Sequence, residues 1–319
     1  MIDKILNSNF YKLIFVLLMI YMNHLLIHSS KIKNNIKVCL CTVGKQENNY
    51  ILDFIKFYKK YGVDKIFLYD NNDINNERFE EVISEYIQKN YVKIFNYRGQ
   101  SKKQLFIYDH CYKLNKKNYD WLIFYDIDEF IYLKNLKNIK EFLVKKKFKK
   151  CKSIYLNWIV HTDNNLLYYE NKSVFNRFPA TYKNKDYCVG KSIVRGNISN
   201  FHSYSTHSLD LKIPKCNGFG NMIKLERIRY CSKPDFKYYY INHYQYKSTE
   251  EFINKIQKGD CLSGDGTQYK LKKIRRYFYV NQINIEKINL IQNKTGLNIS
   301  YYYKKLKKKF HSLYSLNYK

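Results

Sequence analysis

The chain has 319 residues, of which 45% are hydrophobic and 18% aromatic; this excludes wholesale disorder and allows one large or two ordinary domains. Its 57 lysines and arginines against 27 acidic residues give a formal net charge of +30, which leaves a protein that binds nucleic acid or anionic membranes as an alternative. Most of the excess is lysine, a solvated point charge, whereas specific phosphate recognition favours arginine forks. We therefore interpret these lysines as solvated surface and predict no specific nucleic-acid partner.

An apolar stretch near the N-terminus, residues 10–27, has about the length that spans a bilayer. Lys12, Asn23 and His24 interrupt it, and no small-residue cleavage site follows it. These features favour a signal anchor over a cleaved signal peptide, with a buried or interfacial helix as the alternative. We expect a single-pass membrane protein that faces the lumen of the Golgi or endoplasmic reticulum in a eukaryote, and otherwise lies on the cytoplasmic side of a membrane.

The next segment alternates between strand and helix patterns. Short β-branched and aromatic runs predict strands at 36–43, 63–70 and 91–97, and apolar residues at helical spacing predict helices at 47–62 and 77–90. Strands that alternate with helices over short connections predict a right-handed, doubly wound and mostly parallel sheet. Functional loops of such a sheet lie at the carboxyl ends of its strands.

The rest of the chain is less regular. A helix around 105–114 leads to a predicted fourth strand in "WLIFYDIDEF", 121–130. A basic amphipathic helix is predicted at 136–150, a strand at 151–160, a loop-rich stretch from 161 to about 235, and a helix at 248–259 that a serine or threonine caps. We predict three parts: an anchor and spacer in 1–35, an α/β domain in 36–270 and a basic helical tail in 271–319.

Cysteine spacing says little about chemistry. The eight cysteines include no C-x-x-C pair, which argues against a structural zinc site. Their even number would allow disulfides in an oxidising compartment, but buried thiols explain it equally well.

Three carboxylates end the predicted fourth strand: Asp126, Asp128 and Glu129. Because residues i and i+2 of a strand point the same way, Asp126 and Asp128 can converge on one cation. Oxygen ligands of this kind suit Mg²⁺ or Mn²⁺, which complete their shells with water and substrate phosphates. Asp-x-Asp also opens haloacid-dehalogenase-like phosphatases, in which the first Asp is a nucleophile. That pattern has Thr or Val where Phe130 stands, and it lies on the first strand.

Several blocks, in order from about residue 37 to 260, resemble glycosyltransferase family 92 and the family 2-like group, which have the GT-A fold. They include "CTVGKQENNYILDFIKFYKKYGVDKIFLYDNND", "GQSKKQLFIYDHCYKLNKKNYDWLIFYDIDEFI" and "INHYQYKSTEEFINKIQKG". The resemblance implies an α/β protein of GT-A type, with a Rossmann-like, mostly parallel sheet flanked by helices. It implies a Mn²⁺- or Mg²⁺-dependent enzyme that transfers a sugar, by family guidance galactose, from a UDP-sugar to a hydroxyl of a glycan or glycoprotein, with inversion.

The same resemblance implies roles for individual residues. Residues near the nucleotide-sugar would be Thr42, Lys45, Glu47, Asp70, Asn72, Gln104, Asp126 and Lys247. The metal would be held by Asp126, Asp128 and His243. Glu129 would support that loop or face the acceptor, and Asp163 or Asp210 would be the carboxylate base that an inverting transfer needs. The loop "HTDNN" departs from the Gly- and Ser-containing acceptor turn of the family, so the acceptor stays open.

Overall fold

A mixed β-sheet with helices on both faces forms the frame of the protein. The computed structural model describes residues 14–23, 36–182, 189–210, 212–224, 236–259 and 266–299. The described strands are β1 (Val38–Gly44), β2 (Lys65–Asp70), β3 (Val92–Asn96), β4 (Trp121–Phe124), β5 (Glu129–Leu133), β6 (Ser153–His161), β7 (Thr181–Tyr182), β8 (Gly190–Arg195), β9 (Lys215–Cys216), β10 (Met222–Ile223) and β11 (Tyr239–His243).

The described helices are α1 (14–23), α2 (Asn48–Lys60), α3 (Glu80–Gln88), α4 (Gln104–Asn115), α5 (Ile139–Leu143), α6 (Val174–Arg177), α7 (Thr249–Lys258), α8 (Thr267–Val280) and α9 (Ile285–Thr295). A 3₁₀ turn follows α5 at Lys146–Phe148. The predicted strands at 36–43, 63–70, 91–97 and 151–160 and the helices at 47–62, 77–90 and 105–114 are confirmed, with shifts of a few residues at their ends.

The first half of the sheet is doubly wound, as predicted. β1 pairs in parallel with both β2 and β4, and β2 pairs in parallel with β3. Gly44 lies opposite Asp70, so the loops that follow β1 and β2 leave the sheet side by side. The turn that follows β4 lies at the same edge, because Phe124 pairs with Cys41 near the end of β1.

The prediction of a mostly parallel sheet is wrong, because the second half of the fold is mixed. The strand order is β10-β9-β6-β8-β4-β1-β2-β3, and β8 runs antiparallel to both of its neighbours, β4 and β6. β11 runs antiparallel to β5 and parallel to β6. Antiparallel pairs need no helical crossover, so this part of the chain lacks the strand–helix alternation that guided the prediction.

Side-chain alternation along β1 divides the core into two layers. Val38 and Leu40 face the layer that includes α2, whereas Cys39 and Cys41 face the layer under α4. A disulfide joins Cys41 to Cys111 of α4, and a second joins Cys151 to Cys216 of β9. Four cysteines are therefore disulfide-bonded, which the sequence alone did not determine.

Three predictions beyond residue 135 have different outcomes. The helix at 136–150 is wrong: α5 stops at Leu143, Lys145 adopts an extended backbone, and the break lets Phe148 pack against Phe142. The loop-rich interpretation of 161–235 missed β8, a central strand of the sheet. The helix at 248–259 is confirmed as α7, which Ser248 opens through a capping box with Glu251.

The two ends of the predicted domain organisation lie partly outside the described residues. The apolar side chains of α1 are exposed, and no helix among the described residues is both long and apolar enough to cross a bilayer. Residues 10–13 and 24–27 of the predicted anchor and residues 300–319 of the predicted tail are not described. The predicted boundary at residue 270 falls within α8, whose Tyr277 and Phe278 belong to the core.

Candidate functional site

The three carboxylates lie in and after a turn rather than along one strand. β4 ends at Phe124 and β5 begins at Glu129, so Asp126 and Asp128 occupy the connecting turn. The prediction that one strand continues through Asp128 is therefore wrong. Because turn residues do not alternate as strand residues do, the two aspartates face different partners.

Asp126 is oriented by a buried lysine. Its carboxylate accepts hydrogen bonds from Lys191 Nζ at 2.9 Å, Tyr108 Oη at 3.2 Å and Gln104 Nε2 at 3.3 Å. Lys191, on β8, is fully buried, and its Nζ also lies 3.7 Å from Glu129 Oε1. Burial lowers the pKa of Lys191, but the charges of Asp126 and Glu129 outweigh burial and hold it well above its usual value. The structure thus brings together Gln104 and Asp126, which the sequence analysis had placed separately near the nucleotide-sugar.

Asp128, Glu129 and His243 form a cluster at the carboxyl edge of the sheet. One ligand atom from each lies within 4.8 Å of the others, and His243 Nε2 is 3.4 Å from Asp128 Oδ1. Strand pairing causes this meeting, because His243 at the end of β11 lies opposite Glu129 at the start of β5. The structure therefore brings the predicted ligands Asp128 and His243 together. It places Glu129 beside them, whereas Asp126 turns towards Lys191.

Burial and neighbouring charge give the three groups different protonation behaviour. Burial raises the pKa of Asp128, but Lys255 and His243 outweigh it and hold that pKa well below its usual range. Burial raises the pKa of Glu129 well above its usual range, and the charges of Asp126 and Asp128 raise it further, against Lys191. Burial also lowers the pKa of His243, although the charge of Asp128 opposes this shift. The lowered pKa favours the neutral imidazole.

This donor set fits a divalent metal ion. Carboxylate oxygens suit Mg²⁺ and Mn²⁺, and a neutral imidazole is a ligand that transition metals accept. Glu129 Oε1 and His243 Nδ1 are buried and have no hydrogen-bond partner among the described residues. Buried polar atoms without partners are costly, so a site that leaves two of them is suited to a further ligand.

Three lysines from the α7 region pair with acidic residues at this edge of the sheet. Lys255 Nζ lies 2.6 Å from Asp128 Oδ2. Lys247 and Lys258 lie 3.4 Å and 2.8 Å from the carboxylate oxygens of Glu47, in the loop after β1. Lys247 Nζ also lies 3.5 Å from the ring centroid of Tyr50. The predicted residues Glu47 and Lys247 are thus partners, whereas sequence reasoning missed Lys191, Lys255 and Lys258.

The predicted nucleotide residues tie the loops after β1 and β2 together. Asp70 binds Arg98 at 2.7 Å and accepts a hydrogen bond from the backbone of Asn72 at 2.9 Å. The side chain of Asn72 accepts from the backbone N–H of Gln46 at 2.6 Å, and Lys45 pairs with Asp73 at 2.9 Å.

Thr42 and Arg98 also lie at this edge, but only Thr42 was among the predicted residues. Thr42, which was predicted, has a buried hydroxyl with no hydrogen-bond partner among the described residues. Arg98, which was not predicted, also donates to the backbone carbonyls of Asp73, Ile74, Asn76 and Glu77. Arg98 therefore fixes the loop that follows β2.

The two candidate bases lie outside the Asp128–Glu129–His243 cluster. Asp163 is buried and forms an ion pair with Lys287 of α9 at 2.6 Å, and it accepts a hydrogen bond from Tyr277 of α8. Asp210 accepts hydrogen bonds from the backbone of Lys212 at 2.8 Å and of His202 at 3.3 Å. These contacts suit structural roles, and the assignment of either residue as a base stays a prediction.

An aromatic group adjoins the cluster. The ring centroid of Trp158, on β6, lies 4.1 Å from that of His243 and 5.0 Å from that of His207. The indole Nε1 of Trp158 is buried and has no hydrogen-bond partner among the described residues. Because Trp158 is only 6% exposed, its ring packs against the imidazole of His243 and helps to hold it in place.

Comparison with known proteins gives a family match over most of the chain. The family model described as "Glycosyltransferase family 92" matches residues 34–299. A glycosyltransferase family 92 protein of Ricinus communis is 30% identical over 97 residues, which are 30% of this chain and 16% of that protein. One of Oryza sativa subsp. japonica is 26% identical over 106 residues, which are 33% of this chain and 18% of that protein. The matched segment therefore spans less than a fifth of either relative.

Two solved structures resemble the chain more distantly. Staphylococcus aureus TarS 1-349 in complex with UDP-GlcNAc has a TM-score of 0.39 and 14% identity, covering 82% of this chain and 80% of that chain. The mannosyltransferase PcManGT from Pyrobaculum calidifontis, in complex with GDP-Man and Mn²⁺, has a TM-score of 0.31 and 4% identity, covering 38% of this chain and 35% of that chain.

Proposed function

The chain belongs to glycosyltransferase family 92, and on this premise we propose that it transfers a sugar from a UDP-sugar to a hydroxyl of a glycan or glycoprotein. The observation that carries the proposal is the meeting of Asp128, Glu129 and His243 with Lys255 of α7 at the carboxyl edge of the sheet. This is the edge at which α/β sheets bind their ligands. Galactose is the sugar that we propose.

The proposed metal ligands are Asp128 and His243, with Glu129 or Asp126 as a third ligand from the protein. A divalent ion bound there, Mn²⁺ or Mg²⁺, would offset the negative charge that develops on the leaving diphosphate. Lys191 supports this arrangement because it holds Asp126 at 2.9 Å. That contact keeps Asp126 oriented for a ribose hydroxyl or for the outer part of the metal site.

The remaining residues of the edge bind and orient the donor. Thr42, Asp70 and Asn72 lie where the loops after β1 and β2 emerge together, which suits contact with the nucleoside. Lys247 and Lys255 supply positive charge for the diphosphate.

We propose transfer by direct displacement, with inversion at the anomeric carbon. The base must accept the proton of the acceptor hydroxyl, which requires an ionised carboxylate within hydrogen-bond reach. Asp163 and Asp210 remain the candidates from the sequence. The ion pair of Asp163 with Lys287 supports a structural role for it instead.

Membrane attachment through the N-terminal apolar segment and a lumenal location also remain proposals. The disulfides Cys41–Cys111 and Cys151–Cys216 support an oxidising compartment, because disulfides persist in secreted and lumenal proteins and are rare in the cytosol.

The test is a thermal-shift panel on the full chain with UDP, GDP, CMP and ADP, each with and without Mn²⁺. A ligand at a hundredfold excess over its Kd adds about 2.7 kcal/mol to the free energy of unfolding if it binds the native state alone. We expect a raised midpoint with UDP that requires Mn²⁺ and is lost in Asp128→Asn. Sugar transfer from UDP-galactose, UDP-glucose and UDP-GlcNAc then identifies the donor.

The matched control is Glu170→Gln, which removes an exposed carboxylate that pairs with Lys172. This variant should keep the full UDP and Mn²⁺ shift. A UDP shift that is equal in the wild type and Asp128→Asn, or no shift with any nucleotide and metal, would contradict the proposed function.

A further inference from the structure

Lys255 is paired with Asp128, one of the proposed metal ligands. Its Nζ lies 2.6 Å from Asp128 Oδ2, and Asp128 is the acceptor of its one hydrogen bond among the described residues. We propose that Lys255 is an exchangeable counter-ion, which neutralises Asp128 while no metal is bound and moves to the donor diphosphate when a metal takes Asp128. The inference rests on the proposed function, and it makes binding of metal and nucleotide mutually dependent.

Lys255 can move more readily than the other lysines of the cluster. Its side chain is 33% exposed, whereas those of Lys247 and Lys258 are 6% and 11% exposed. Lys247 lies against the ring of Tyr50, and Lys258 donates to the backbone carbonyls of Lys45 and Gln46 as well as to Glu47. The backbone of Lys255 lies in α7 and its Nζ makes the contact with Asp128, so a change of rotamer would release it.

Each of four carboxyl groups at this edge of the sheet already has an ammonium partner without a metal. These four are joined by direct contacts to four ammonium groups: Glu47, Asp126, Asp128 and Glu129 to Lys191, Lys247, Lys255 and Lys258. A divalent cation that entered alone would add positive charge beside these ammonium groups. A diphosphate that entered alone would leave excess negative charge. Uncompensated charge in a buried cluster is strongly unfavourable, so the two ligands should enter together.

This arrangement predicts opposite effects of Lys255 on the two ligands. Removal of its charge should leave Asp128 unpaired and therefore strengthen the binding of Mn²⁺ alone. The same change should weaken the binding of UDP in the presence of Mn²⁺, because the diphosphate loses a cation. Coupling between two ligands is reciprocal, so the effect of UDP on Mn²⁺ affinity must fall together with the effect of Mn²⁺ on UDP affinity.

The experiment measures free Mn²⁺ by electron paramagnetic resonance in titrations of the full chain, with and without UDP. In the wild type we expect UDP to raise Mn²⁺ affinity about tenfold or more, within the range of about 5- to 150-fold usual for coupled sites. In Lys255→Met we expect Mn²⁺ alone to bind about tenfold tighter than to the wild type, and UDP to change Mn²⁺ affinity about twofold or less. Lys255→Arg keeps the charge and should retain most of the coupling.

The control is Lys172→Met, which removes an exposed lysine that pairs with Glu170 and should behave as the wild type. Lys255→Gln serves as a second neutral variant if Lys255→Met does not fold. Equal Mn²⁺ affinity in the wild type and the neutral variant, or undiminished coupling in that variant, would overturn the role of Lys255 and leave the proposed function standing. Failure of the wild type to bind Mn²⁺ and UDP together would overturn both.

Discussion

Replacement of Asp163 by Asn tests whether this residue is a structural anion or the base of the transfer. The Asp163 carboxylate is 2% exposed and lies 2.6 Å from Lys287 Nζ, and the Lys287 side chain is fully buried. The variant Asp163→Asn keeps the size of the side chain but leaves the Lys287 ammonium without a counter-charge. Removal of one partner of a buried ion pair costs about 3–5 kcal/mol of unfolding free energy.

The remaining contacts of Lys287 indicate that the loss of unfolding free energy lies at the lower end of this range. Its Nζ still donates to Asn165 Oδ1 at 3.1 Å and to the Gln282 carbonyl at 2.8 Å. Tyr277 exchanges a carboxylate acceptor for an amide group with one accepting oxygen, and its hydroxyl still lies 2.8 Å from Thr249 Oγ1. We therefore expect a loss of about 3 kcal/mol. For a domain of this size it should lower the thermal midpoint by about 6–12 °C.

Urea unfolding followed by tryptophan fluorescence measures this loss, because Trp121 and Trp158 are both buried. The double variant Asp163→Asn/Lys287→Met removes both charges and should recover more than half of the stability. Glu170→Gln, in an exposed ion pair, should lose less than about 0.5 kcal/mol. Sugar transfer per folded molecule should stay within about threefold of the wild type, because loss of a general base costs about 10²- to 10⁴-fold. A stable Asp163→Asn variant whose transfer rate falls 100-fold or more would refute the structural role.

Three further predictions concern two buried lysines and one disulfide of the fold. Lys191→Met should lower the free energy of unfolding in urea by about 3 kcal/mol, because it leaves the buried Glu129 and the partly exposed Asp126 without their cation. Glu129→Gln should restore part of that loss, and wild-type stability of Lys191→Met would contradict this account. Replacement of both Cys41 and Cys111 by Ser should lower the free energy of unfolding by about 4 kcal/mol, because the disulfide joins residues 70 positions apart. Urea unfolding against the wild type under non-reducing conditions measures this loss, and an unchanged midpoint would argue against this disulfide. Burial lowers the pKa of Lys215 to about 8, against the opposing effect of the Asp210 charge. Because the unfolded chain then binds the proton more tightly than the native state, the free energy of unfolding should rise by about 3 kcal/mol between pH 8 and 10.5. This rise should be absent in Lys215→Met.

The sequence predicted the parallel half of the fold because each of its elements has a local signal. The apolar positions of α2 at Ile51, Phe54, Ile55 and Tyr58 are all buried, as helical spacing requires. Short connections between strands and helices then left few topologies to choose from. The antiparallel half has no comparable signal: β8 was assigned to a loop, although it lies between β4 and β6 at the centre of the sheet.

The site divides in the same way. Asp128 could be predicted because acidic residues follow an apolar strand, and His243 because a motif resembles a known family. Lys191 could not be predicted, because a lysine in a chain with a net charge of +30 gives no sign of being buried. A signal does exist for Lys255 and Lys258: they are three residues apart on one helix and therefore share a face, but only the position of α7 shows what that face meets.

The sequence by itself determined the family, the doubly wound β1–β4 region, the cap of α7 and the presence of acids at a strand end, because each depends on residues close together in the chain. The tertiary structure alone decided which acid meets which cation. The antiparallel register of β5 and β11 brings His243 to Glu129, and the insertion of β8 beside β4 carries Lys191 to Asp126. Whether a carboxylate is free, paired or beside a candidate metal ligand depends on such long-range pairing, since charge interactions act through space rather than along the chain.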